Sequence, residues 1–313
     1  MSQLHPDLRT LRIGTRASKL ALWQARQTAQ KLQEMGYPVE IVHVSSQGDR
    51  DQTSALHTFG GAGVFTKALD EALMNEEIDL AVHSFKDLPT TSSLPIEVVA
   101  VLERMDPRDV LVAPNGLDFL DTGKAQVATG SQRRKAQWMA RYPGHQMMPL
   151  RGNVPTRIQK ITDQGWDGAI FAAAGLKRLE LEHHITDYLE WMLPAPAQGA
   201  IALATLSDNN WVKNCVTSIN HPKTFWETQV ERALLNRLEA GCSAPVGAFA
   251  RIDEQRNSIH LEAVALSLDG QQKFIVDKKS PWDDVSADDF GKHCADLLLD
   301  KGADQIIEDI KGT

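Results

Sequence analysis

Cysteine is scarce: three in 313 residues, an odd number without tight spacing. That excludes a disulfide framework and fits a reducing compartment. There is no CxxC or HExxH pair, so no structural metal site is expected. No apolar run approaches the roughly 20 residues that cross a bilayer, so no membrane partner is expected either. The opening stretch MSQLHPDLRTLRIG lacks an apolar core followed by a small-residue cleavage site, which leaves the cytoplasm as the expected location. A G-x-S-x-G elbow is missing, and GGAGVF lacks the Lys-Ser/Thr ending of a Walker loop. The sequence also has no internal repeats and no low-complexity tails.

What is present has the composition of an ordinary globular protein, 42% hydrophobic and 24% charged, and is long enough for two or three domains. The net charge of −8 repels nucleic acid as a whole, so no nucleic-acid partner is expected. Arginines nevertheless gather in three Gly/Ser/Thr-rich segments, GTRAS, TGSQRRK and RGNVPTR. One such segment could simply solvate a helix end. Three of them favour a polycarboxylate or phosphate ligand gripped by bidentate guanidinium contacts.

The first third alternates strand and helix. LRIGT is a strand ending in Gly14, and Ser18 can cap a helix from about Leu20, with Leu20, Trp23, Gln27 and Leu32 near one face and Gly36 as its stop. VEIVHVS, DLAVHSF and EVVAVL read as strands and FTKALDEALMNEE as an amphipathic helix, a βαβ pattern that favours a mostly parallel sheet. After ERMDPRD the pattern restarts. DVLVAP, AQVATGS and GAIFAAAG are strands, RRKAQWMARY and VPTRIQKITDQG are helices, and LPAPAQG marks a crossing back to AIALATL. The last third holds a helix from about Phe225 to Glu239, with Trp226, Val230, Leu234 and Leu238 in register. The strands VGAFARID, IHLEAVALSLDG and KFIVDKK and a helix near DDFGKHCADLLLDKG follow it.

The expected fold class is therefore α/β: two hinged lobes on the plan of periplasmic binding proteins, plus a small C-terminal α+β domain. The expected boundaries are 1–103 with 198–217 for lobe 1, 104–197 for lobe 2, and 218–313 for the last domain. Ligands of such folds sit in the cleft beyond strand carboxyl ends, near helix N-termini.

HSFKD puts Lys86 and Asp87 at the end of a strand. A carboxylate kept charged by a neighbouring cation can accept a proton or hold a cationic intermediate; a surface pair closing a turn before Pro89 fits the same residues. In TGSQRRK, Thr129, Gly130 and Ser131 precede a helix whose first turn carries Arg133 and Arg134. Cations there oppose the macrodipole, and a bound anion would relieve the conflict. RGNVPTR repeats the arrangement with Arg151 and Arg157, and GTRAS supplies Arg16 and Ser18. His83 reads either as a strand histidine satisfied by hydrogen bonds or as a proton-transfer group. Cys242 follows Gly241 just past a helix C-terminus, where carbonyl dipoles disfavour a thiolate. That suits a thiol alkylated once and kept as an anchor, or a buried structural cysteine.

Nine segments in order, GTRASKLALWQA, GGAGVFTKAL, DLAVHSFKDLP, ERMDPRD, TGSQRR, RGNVPTR, AGLKRL, LPAPAQGA and LEAGCSAPVG, resemble the hydroxymethylbilane synthase (porphobilinogen deaminase) family from about residue 11 to 250. The resemblance implies a transferase that condenses four porphobilinogen molecules head to tail, releases ammonia at each step, and frees a linear tetrapyrrole by hydrolysis. It implies a dipyrromethane cofactor in thioether linkage to Cys242, and Asp87 as the catalytic group that steadies positive pyrrole and azafulvene species. Lys86, Thr129, Ser131, Arg133 and Arg134 match cofactor contacts, and Ser18, Gly175, Gln198 and Gly199 lie on motifs around the same cofactor. Arg16, Arg151, Arg157 and Arg178 match residues that bind the acetate and propionate groups of the pyrroles, with Gln24 and Phe65 near the substrate.

The arginines agree with this chemistry, since each added pyrrole brings two carboxylates that must be neutralised. Thr58 and Ala62 replace two lysines usual in the family's mobile loop, which raises the alternative of a member that elongates weakly. Lys19, Gln132 and Ala204 are further departures. A non-catalytic, two-lobed anion-binding protein is the other alternative. The expected assembly is a monomer.

Overall fold

The computed structural model describes residues 9–45, 66–240 and 244–311. In chain order it runs β1 (Leu11–Thr15), α1 (Lys19–Glu34), β2 (Val39–His43), α2 (Lys67–Met74), β3 (Leu80–Ser84) and β4 (Ile96–Val101). Next come β5 (Asp109–Val112), β6 (Gln126–Thr129), α3 (Gln132–Arg141), β7 (Gln146–Pro149), α4 (Val154–Asp163), β8 (Gly168–Ala172), α5 (Ala173–Lys177) and β9 (Asp187–Tyr188). The chain closes with β10 (Ile201–Leu206), α6 (Asn210–Thr217), α7 (Pro222–Arg237), β11 (Val246–Asp253), β12 (Ser258–Leu266), β13 (Lys273–Pro281), α8 (Ala287–Leu299) and α9 (Ala303–Lys311). Two compact units divide it, Met1–Met105 with Ala200–Phe225, and Asp106–Gly199 with Trp226–Thr313.

The first unit is one sheet, in the order β2-β1-β3-β10-β4. Strand alternation sends Leu80 and Val82 to one face, packed with Ala25, Ala29 and Leu32 of α1 and Val212 and Val216 of α6. Ala81 faces the other way, against Leu69, Ala72 and Leu73 of α2. Ser18 caps α1 as expected, its Oγ accepting from the Ala21 N–H at 3.2 Å, and Gly36 at φ 90° ends it. The buried stripe is Gln24, Ala25, Thr28, Ala29 and Leu32; Leu20, Trp23 and Gln27 lie at its margin, so the expected face is rotated.

The expected mostly parallel sheet is present with one exception: β2, β1, β3 and β4 run the same way, and β10 opposes them. β1 pairs β2 and β3 in parallel, but β10 runs antiparallel to both β3 and β4. No helical crossover delivers β10 to the sheet; it follows directly on Gly199 and Ala200 and so enters from the opposite end.

The second unit holds two sheets. In β7-β6-β8-β5-β9 the pairs of β6 are parallel and those of β5 antiparallel. Val110, Val112 and Phe171 pack toward α4 and α5, while Leu111, Val127 and Ile170 pack on the other side with the fully buried Trp138 of α3. The run GAIFAAAG is a strand only to Ala172. Its last alanines start α5, in keeping with the helix preference of alanine.

The third sheet, β11-β12-β13, is antiparallel and packs on α7, α8 and α9. α7 begins at Pro222, earlier than expected, with proline in the first turn where its missing N–H costs nothing. α9 was not expected at all. β11 is an edge strand, and its outward N–H groups are closed off rather than left bare. Ala248 donates to Pro194 O at 3.0 Å, Ala250 to Glu231 Oε1 at 2.8 Å, and Ile252 to Glu227 Oε1 at 2.9 Å.

Candidate functional site

In the first unit, β1 and β3 are parallel neighbours, so their carboxyl ends share one edge of the sheet. Arg16 follows β1, half-buried, and Ser18 is occupied as the cap of α1. Gln24 is buried on α1 and donates from Nε2 to Ser84 Oγ at 2.8 Å, tying the helix to the end of β3. The chain then makes one 3-10 turn, Phe85–Asp87. Phe85 is fully buried and its N–H donates to Ala200 O at 3.1 Å, so the turn is anchored at its first residue. Lys86 is half-buried and Asp87 exposed. A buried anchor followed by an exposed carboxylate presents that carboxylate to solvent-borne molecules without loosening the strand.

His83 departs from the expectation that hydrogen bonds satisfy it. Its Nε2 is buried without a partner among the described residues. Burial, aided by the charge of Arg16, lowers its pKa to about 4, so the ring is neutral at pH 7.

In the second unit Arg133 and Arg134 are both buried, 3% and 7% exposed, around the fully buried Asp109 at the start of β5. Arg134 grips Asp109 Oδ1 with Nε at 3.0 Å and Nη2 at 2.8 Å, and its Nη1 donates to Ile170 O at 3.1 Å. Arg133 Nη1 lies 2.7 Å from Asp109 Oδ2 as an ion-pair contact and donates to Leu193 O at 2.5 Å. Gln198 donates from Nε2 to Asp109 Oδ1 at 2.8 Å and to Pro107 O at 2.7 Å. Burial alone would push Asp109 up, but the two guanidiniums outweigh it and hold the carboxyl at about 2. Burial draws Arg133 below the ordinary arginine value.

A bound anion is the expected partner of these first-turn arginines. The structure supplies part of it from within the chain, as Asp109. Among the described residues two guanidiniums against one carboxylate still leave +2 − 1 = +1, and Arg133 Nε is buried with no partner there. An acid group fits that deficit.

The neighbouring motif residues are arranged by the same turn. Gly130 is required where it stands, because a Cβ there would meet Leu150 O at 2.6 Å. Thr129 Oγ1 accepts from the Ser131 N–H at 3.2 Å, and Ser131 Oγ from the Arg134 N–H at 3.5 Å. Each hydroxyl keeps its own proton as a donor. Arg178, 4% exposed, donates from Nη2 to Gly199 O at 2.6 Å, and burial lowers its pKa to about 10, leaving it charged at pH 7. Ala197 and Gly199 both take positive φ, 61° and 90°, around Gln198. A Cβ on Gly175 would meet nothing within 4 Å. Arg151 is half-buried and drawn down by burial, and Arg157 Nε donates to Gly152 O at 2.6 Å. Cys242 and Phe65, like Thr58 and Ala62, lie outside the described residues.

The sequence reading missed Asp109 and Glu231. The available signal was a charged residue opening DVLV, a strand buried at all four positions. Glu231 on α7 is fully buried and its Oε2 accepts from the Ala197 N–H at 2.6 Å, joining the helix that leads toward Cys242 to the turn that holds Gln198.

One group of possible metal ligands occurs among the described residues, His260, Glu262 and Asp277 on the outer face of the third sheet. His260 already pairs with Asp277 at 2.6 Å, and Arg251 sits 2.6 Å from Glu262, a cation in competition with any metal. Among the described residues no helix is long and apolar enough to cross a membrane.

The fold is that of a mixed α/β protein with two sheet-containing lobes and a small C-terminal domain. Residues 11–214 match the family described as porphobilinogen deaminase, dipyromethane cofactor binding domain, and residues 225–300 match the porphobilinogen deaminase C-terminal domain. The chain belongs to the porphobilinogen deaminase family. It is 42% identical to the porphobilinogen deaminase of Syntrophomonas wolfei over 96% of this chain and 98% of that one. It is 39% identical to that of Carboxydothermus hydrogenoformans over 96% of each. Among solved structures, a nutrient binding protein from Burkholderia cenocepacia bound to methionine is 14% identical, with a TM-score of 0.42 over 68% of this chain and 93% of that one.

Proposed function

We propose that this chain carries out the family reaction with Asp87 at the reacting centre and its motif arginines holding acid groups. The reaction is that of a transferase in tetrapyrrole biosynthesis: four molecules of the small-molecule substrate porphobilinogen are joined head to tail into hydroxymethylbilane, with loss of ammonia. The dipyrromethane cofactor, when bound, supplies the pyrrole end to which the first substrate is joined.

Asp87 suits its role because it is exposed on a turn whose base is fixed by buried Phe85. Its carboxylate can steady the cation that develops as ammonia leaves and take up the proton released when the new carbon–carbon bond forms. Lys86, Arg133, Arg134, Gln198 and the Thr129 and Ser131 hydroxyls hold the cofactor, with Cys242 as its thioether anchor and Ser18, Gly175 and Gly199 flanking it. Arg16, Arg151, Arg157 and Arg178 take the carboxylates of incoming and growing pyrroles, with Gln24 and Phe65 at the substrate. Arginine stays protonated throughout, so the holding charge does not change as units are added.

The observation that carries this reading is the buried Arg133–Asp109–Arg134 set, which among the described residues is one anion short and has one guanidinium nitrogen unpaired. The chain is further read as a cytoplasmic monomer that binds neither nucleic acid nor membranes, in keeping with its net charge of −8. Three sheets support three domains, 1–103 with 198–217, 104–197 and 218–313. The decisive experiment is intact mass spectrometry of the full chain with porphobilinogen. The wild type should carry one dipyrromethane and form linear tetrapyrrole, and Cys242→Ser should carry none. An unmodified wild type, or a modified Cys242→Ser chain, would refute the assignment.

A further inference from the structure

Asp109 gathers more of the molecule than any other residue of the site. It opens β5, is fully buried, and receives Arg133 and Arg134 from the first turn of α3 and Gln198 from the turn before β10. Two segments remote in sequence thus converge on a carboxylate carried by a third. A closed structural ion pair balances its charges and satisfies its polar atoms. This set does neither. Among the described residues it carries one surplus positive charge, Arg133 Nε has no partner, and Asp109 Oδ2 touches Arg133 without an aligned hydrogen bond.

We infer that Asp109 is a positioning residue: an internal anion that assembles Arg133, Arg134 and Gln198 before the cofactor arrives and leaves one positive charge for a carboxylate of the bound dipyrromethane. The inference rests on the assignment of these three residues to the cofactor. With no acid present, two buried guanidiniums would repel each other and the holding set would have to form during loading. With two internal acids the set would be neutral and would have no pull on a polyacid. One carboxylate between two guanidiniums keeps the pair folded and still attractive. Asp109 acts through the arginines and touches no reacting atom.

The test compares thermal unfolding of the full chain without cofactor and after loading with porphobilinogen, for wild type and Asp109→Asn, with intact mass confirming the load. Asp109→Asn removes the carboxylate that pairs with both guanidiniums in the cofactor-free chain, whereas in the loaded chain the cofactor's carboxylate supplies one. Loading should therefore raise the Tm of Asp109→Asn by at least about 4 °C more than it raises that of the wild type. Equal gains in the two chains would mean that Asp109 is merely structural and would overturn the inference.

Should cofactor-free Asp109→Asn fail to fold, Asp109→Glu keeps the charge and displaces it by one methylene. It should then load at least about 10-fold more slowly, a cost near 1.4 kcal/mol in the barrier, with a normal loading gain in Tm. An unchanged loading rate would overturn the inference. If the wild type itself takes up no cofactor, the functional assignment falls and this inference with it; if the wild type loads normally, only the role of Asp109 is at stake.

Discussion

The turn after β3 and the turn after β6 are built alike, a strand running into a helical turn with charged residues just past the junction, yet they bury those charges to opposite degrees. In the first unit Phe85 is sealed and Asp87 is exposed one residue past Lys86. In the second, Arg133 and Arg134 are sealed with Asp109 between them. The contrast separates two demands. A group that exchanges protons with successive substrates needs access, and its environment has to be rigid only up to the turn. Groups that hold one ligand through many turnovers gain from low dielectric and fixed geometry, at the cost of needing a counter-ion inside the fold.

The largest test of that contrast is Asp87→Asn. It should lower the rate of porphobilinogen consumption by about 10²–10⁴-fold while moving the Tm of the loaded protein by less than about 2 °C, since surface changes are usually within ±0.5 kcal/mol. A large loss of stability would mean that the turn is structural and the contrast false.

Next comes pH. His83 is neutral in the fold with a pKa near 4, against about 6.5 when unfolded, so the unfolded chain binds the extra proton between these values. Its contribution is complete above pH 6.5 and is lost as pH falls to about 4, on the order of 3 kcal/mol. Asp109 has a depressed carboxyl, so its contribution is complete above about pH 4 and is lost as pH falls toward 2. Urea titrations between pH 7 and 4 should show the first unit weakening before the second, and His83→Gln should flatten that slope. An unchanged slope would remove His83 as the cause.

The smallest expected effect is a gain. Ala197 at φ 61° bears a left-handed strain that glycine escapes, so Ala197→Gly should stabilise the protein by about 1 kcal/mol, or about 2–4 °C in Tm. A loss instead would show that the methyl group packs usefully beside Gln198.

Much of the fold was legible because its strands are apolar runs bounded by Gly, Pro and polar turns, and its helix starts carry Ser18, Ser131 and Pro155. The direction of β10 was not legible, since a strand's residues look alike whichever end it enters from. For the candidate site, the motifs placed Thr129, Ser131, Arg133 and Arg134 at a strand-to-helix turn, where the structure has them. What answers their charge was hidden. Asp109 lies 25 residues before Arg134 in sequence, and only the pairing order β6-β8-β5 brings the start of β5 to that helix. The unpaired nitrogen of His83 was equally invisible, because a buried imidazole reads the same in sequence whether or not a partner is present.

The closed edge of β11 has a consequence for how the chain behaves in company. A strand with bare amides is a docking rail for any other extended segment, whether in a crowded cell or on a ribosome that has not finished its work. Here two glutamates four residues apart and one carbonyl stand in for a fourth strand. On this side the small sheet can therefore stop without inviting a neighbour to extend it.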